Sequence, residues 1–282
     1  MATQSPTLKR RQLSATLRQL REENGLTSTE AAKRLEWAPS KLTRIERNEW
    51  KLPNVHDVRL LLDLYGVTDR HQRESLLTLA RESRQRGWWA EYKDVFRSNL
   101  PAFEVGASLI RTYEVVLIPG LLQTPAYTAA VFRGGQVLDE VVVNRHVEAR
   151  IARQKILSRE QPPSLVAIID EAALLKAIGG REVMHAQLRH LIEMASRPNI
   201  TIQVIPNAVG AHPALTGGPF VILDFPSDRS LVYMATATDS LWLDRPEEYQ
   251  RYSLIFTHVS TSALSAEEST QLIAAIMDQH KR

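Results

Sequence analysis

Ser40, Lys41 and Arg44 carry the clearest chemical pattern in the chain. On one helix these positions share an outer face. A hydroxyl, an ammonium and a guanidinium placed there suit hydrogen bonding to base edges in a DNA major groove. Thr43, Arg47 and Lys51 flank the set and suit phosphate oxygens, contacts that position a protein on DNA without reading sequence. A polar, solvated helix face is the competing reading of the same residues, and the elements around them decide between the two.

Those elements read as five short helices within residues 10–86. Leu13, Leu17 and Leu20 form one apolar stripe that stops at Asn24-Gly25. Thr27 and Glu30 have capping-box spacing at the head of the second helix, where Ala31 and Ala32 are small enough for close packing. Pro39 suits the first position of the third helix, with Leu42 and Ile45 turned inward. Asn54 opens a fourth helix that ends at Gly66, and Thr68-Asp69 opens a fifth. Two short helices joined by a brief turn, with small residues at their crossing, are the frame a helix-turn-helix needs. Charge agrees: residues 1–90 hold 17 Lys/Arg against 11 Asp/Glu, whereas the remainder holds 18 against 21. A basic head on a mildly acidic body suits a polyanionic partner for the head.

The segments GLTSTEAAKRL (25–35) and SKLTRIE (40–46) resemble the Xre/Cro-like helix-turn-helix family. The resemblance implies binding to double-stranded DNA, with Ser28 and Pro39 joining the DNA-facing set. Ser28 stands where the family usually has a glutamine, and Ala38 where it usually has a capping Ser or Thr. The resemblance also implies that Arg21 and Glu46 pair and tie the first helix to the third. Beyond the head, PGLLQTP (119–125), RIARQ (150–154), DEAAL (170–174) and NITIQVIP (199–206) resemble actinobacterial regulators of the WhiJ-like group. That likeness implies a developmental or antibiotic-production regulator, often paired with a small companion protein.

The division expected is 1–86 for the all-α head and 87–282 for an α+β domain, a small mixed sheet inside a helical shell. In the second domain, helical periodicity is expected over 103–114, 125–132, 139–159 and 171–197. Strands are expected over 164–169, 200–205, 220–225 and 231–235, the last two as a hairpin. No G-x-S-x-G, HExxH or phosphate-binding glycine loop occurs, so no enzyme is expected. Cysteine is absent, and His185 and His190 fall on different faces of a helix, so neither a metal nor another cofactor is expected. The long loop 207–219 reads as a surface connector or as a pocket wall. Arg145, Arg150 and Arg153, with Lys155 and Arg159, read as a solvated basic face or as a docking surface for an acidic partner.

A cytoplasmic homodimer is expected, since one head covers half a binding site. Three readings of its control remain open: a companion protein, a small ligand in the second domain, or an antitoxin that neutralises a neighbouring protein and regulates its own synthesis.

Overall fold

The structure is a computed structural model, and it describes residues 5–50, 52–136, 139–236 and 238–280. It divides into two compact bodies, Met1–Glu91 and Tyr92–Arg282, a boundary five residues beyond the one expected.

The first body holds five helices: α1 (Pro6–Glu23), α2 (Ser28–Arg34), α3 (Pro39–Glu46), α4 (Val55–Leu64) and α5 (Arg70–Glu82). Their starts follow local chemistry. The Thr27 hydroxyl accepts from the Glu30 amide while the Glu30 carboxylate accepts from the Thr27 amide, closing a capping box. Asn54 and Asp69 cap α4 and α5 through side-chain oxygens that accept from the His56 and Gln72 amides. Leu13 and Leu17 of α1, Leu42 of α3 and Leu61 and Leu62 of α4 fill one core, completely buried. α1 begins four residues before the expected start at residue 10, because Pro6 sets the first turn and Leu8 is buried.

The second body is built on a six-stranded mixed sheet. It comprises α6 (Leu100–Glu104), β1 (Leu109–Glu114), α7 (Pro125–Gly134), α8 (Glu140–Gln154), β2 (Ser164–Asp170), α9 (Glu171–Leu175), α10 (Arg181–Ala195) and β3 (Ile200–Ile205). There follow β4 (Phe220–Asp224), β5 (Leu231–Ala235), β6 (Ser240–Leu243), α11 (Pro246–Ser262) and α12 (Ala266–Gln279). The strand order is β3-β2-β1-β4-β5-β6. β1, β2 and β3 run parallel, while β4 to β6 form an antiparallel meander joined to β1 through β4.

Three local expectations are corrected. Residues 103–114 are not one helix: α6 ends at Glu104, and 109–114 form the central strand β1. β1 carries Arg111, whose charge is met by Asp224 on β4 at 2.9 Å, with Ser253 and Tyr249 of α11 completing its hydrogen bonds. The expected helix over 171–197 breaks at Gly179 and Gly180, both at positive φ (77° and 89°), giving α9 and α10. The helix over 139–159 stops at Gln154 and tightens into a 3-10 turn over Lys155–Ser158.

Candidate nucleic-acid interface

The interface starts with the crossing of α2 and α3. Ala31 and Ala32 are fully buried, and at that size the two helices meet without a bulky side chain between them. The connecting turn takes Glu36 into the left-handed region (φ 55°), and the Trp37 amide donates to the Ala32 carbonyl at 2.9 Å. Ala38 stands at the N-cap of α3 with no side-chain hydrogen bond, so Pro39 alone preorganises this start.

A buried ion pair fixes α3 against α1. Arg21 donates from Nε and from a terminal nitrogen to the two oxygens of Glu46, at 2.6 and 2.9 Å. Its other terminal nitrogen donates to the Leu26 carbonyl at 2.6 Å, on the approach to α2. The hydrogen bond to Glu46 raises the Arg21 pKa above its ordinary value, against the opposing effect of burial. Arg21, on α1, thereby ties its own helix to α3 and to the approach to α2. Beyond α3, Asn48 is left-handed (φ 57°) and accepts from Arg10 on α1, while the Trp50 indole donates to Ser14.

On this frame the outer face of α3 presents Ser40, Arg44 and Arg47, all exposed. Spacings of four and three residues put them on one side of the helix. Neither guanidinium has a hydrogen bond or ion pair among the described residues. Thr43 is half-buried, and its hydroxyl donates back to the Pro39 carbonyl at 3.1 Å. Ser28 lies half-buried in the first turn of α2, and Pro39 is exposed at the start of α3. Lys51 lies outside the described residues.

Lys41, expected to face base edges, has partners within the chain. Its Nζ is 2.9 Å from Asp57 on α4 and sits 3.8 Å from the centre of the Trp37 ring. The ammonium is held by a carboxylate and an aromatic face, and the Lys41 side chain links α3 to α4 instead of standing free. Asp57 and Trp37 are the residues that reading the sequence missed. Trp37 was detectable as a ring four positions before a lysine, but Asp57 arrives from another helix.

The arginines expected to form a docking surface on α8 also have partners within the chain. Arg153 makes a two-pronged pair with Glu104 of α6, both bonds 2.6 Å, and the Glu104 side chain is 1% exposed. Arg145 pairs with Asp94 and lies over the Tyr92 ring. Both guanidiniums are met by groups of this chain. Arg150 makes no hydrogen bond among the described residues. Its guanidinium lies against Gly120, where a methyl group would overlap it. Gln154 donates to the carbonyls of Gly120 and Gln123. The segments 119–125 and 150–154 are therefore one packing unit.

Two family models match separate parts of the chain. Residues 12–76 match a helix-turn-helix domain family, and residues 98–275 match a domain of unknown function, DUF5753. No curated protein and no solved structure matches the chain. Among the described residues no helix is long and apolar enough to cross a membrane. With the second match covering more than half of its length, the chain belongs to the DUF5753 family and carries a DNA-binding helix-turn-helix domain ahead of it.

Proposed function

We propose that the protein is a sequence-specific transcriptional regulator of the Xre type, acting in the cytoplasm as a homodimer on double-stranded DNA. The observation that carries this reading is the outer face of α3, where Arg44 and Arg47 stand unpaired on a helix held rigidly by the Arg21–Glu46 pair. A guanidinium fork is suited to guanine O6 and N7 or to phosphate, and a fixed helix gives it a defined register. In this reading Arg44 reads a base, Arg47 meets phosphate, and Lys41 positions α3. The second domain regulates and does not catalyse. A small companion protein rests on the family likeness alone.

The test is selection of bound duplexes from a random pool by the full chain and by three variants. Arg44→Ala is expected to relax preference at one base position, at a cost of about 1–3 kcal/mol for the preferred site. Arg47→Ala should weaken all duplexes alike and reduce the salt dependence. Lys41→Ala should lower the melting temperature and leave base preference in place. No enrichment by the unmodified chain would overturn the reading, and loss of one base preference in Lys41→Ala would restore that residue to the base-reading set.

A further inference from the structure

The loop between β3 and β4 forms one wall of a cavity of about 390 Å³ in the second body. Pro213 and Ala214 of that loop, Phe220 of β4 and Tyr252 and Ile255 of α11 supply its apolar lining, beside the polar Thr216. This volume lies within the range of about 300–1,000 Å³ usual for small-molecule sites. The walls are fixed. His212 meets the Tyr113 hydroxyl at 3.3 Å, which pins the loop immediately before Pro213. The Tyr252 hydroxyl donates to the Met234 sulfur at 3.1 Å, and Phe220 packs edge-on against Tyr252 and Phe256.

The charge at this cavity comes from two residues of α11, Glu248 and Arg251. They are not symmetric. The Glu248 carboxylate accepts from the Arg245 amide at the head of α11, so it is engaged with its own helix. Arg251 is exposed and has no hydrogen bond or ion pair among the described residues. One uncommitted guanidinium beside a partly open, mainly apolar cavity suits a ligand with an apolar body and one anionic group. The nearby Glu248 disfavours a doubly charged phosphate, whereas a planar carboxylate fits the fork of a single arginine.

We propose that this cavity is a binding site for a small monocarboxylate with an aromatic or aliphatic body, its carboxylate held by Arg251. The site stands independently of DNA binding by the head.

The test uses the purified full chain, titrated calorimetrically with phenylacetate and octanoate and with their neutral amides, phenylacetamide and octanamide. Saturable binding of at least one acid is expected, with its amide about tenfold weaker or more, the loss of one charge-assisted contact. Arg251→Ala, a change at an exposed position, should bring acid and amide to the same affinity. Ile255→Trp, which fills the chamber, should abolish both. Should Ile255→Trp fail to fold, Arg251→Ala decides. The proposal is overturned if neither acid binds saturably, if the amides bind as well as the acids, or if Arg251→Ala leaves the preference for acid unchanged.

Discussion

Arg21 and Glu46 show how much a single pair can decide in a small body. Both side chains are nearly buried, at 10% and 7% exposed, so removing one strands the other in a poorly solvated place. Arg21→Met is expected to destabilise the head by about 3–5 kcal/mol, measured by urea unfolding. Arg21→Met combined with Glu46→Leu should recover part of that loss, because no charge is then left alone. Only part returns, since the Leu26 carbonyl still lacks its donor. If the double variant is as unstable as the single, the pair is not the cause. Glu114 poses the opposite case. Burial raises its pKa from 4.5 to about 7 despite the nearby Arg153 and Arg150. Between those pH values the folded chain binds more protons than the unfolded one, so stability falls as pH rises through 7. Glu114→Gln should flatten that slope, stabilising the second body at pH 8 by up to about 3 kcal/mol and hardly at pH 4. An unchanged slope between pH 4.5 and 7 in thermal unfolding would assign it to other groups.

At the scale of elements, what could be read in the sequence was what local chemistry determines. Thr27 with Glu30 announces a helix start, and the pair closes as a capping box in the structure. The five helices of the head follow from such signals together with their apolar stripes. β1 was hidden because it is a central strand that carries Arg111, a residue whose partners are remote in sequence. β6 was hidden by its brevity, four residues at the end of a meander. The interface divides in the same way. Arg44 is exposed, as helical periodicity indicates, but Lys41 is held by Asp57 across a helix boundary that no spacing rule crosses. One element carries a defect visible at both levels. The N-cap of α3 is Ala38, whose backbone is extended as a cap requires but whose side chain offers no acceptor. Ala38→Ser is expected to add about 1 kcal/mol to the stability of the head, read as a higher urea midpoint at constant m-value. No gain would mean that Pro39 already supplies what a cap provides.

At the scale of the molecule, the sizes of the two bodies bear on how DNA is engaged. The head has its own core of leucines and its own caps, so residues 1–91 are expected to fold alone with one cooperative transition. Yet one α3 reaches only a few base pairs, and recognition of an extended site needs two heads spaced by about one helical turn, roughly 34 Å. If the second body joins two chains, the second head binds as an intramolecular event at an effective concentration near the millimolar range. Affinity for a paired site then exceeds that of one head by about 10²–10⁴. Three outcomes follow together. Sedimentation should give a monomer for residues 1–91 and a dimer for the full chain. The full chain should bind a duplex with two selected half-sites about 10²–10⁴ times more tightly than the fragment does. Inserting five base pairs between the half-sites turns the second to the opposite face of the helix, and this should remove most of the difference while leaving the fragment's affinity unchanged. A fragment that sediments as a dimer would move the dimer interface into the head. A full chain indifferent to the insertion would mean that the two heads are not held at a fixed spacing.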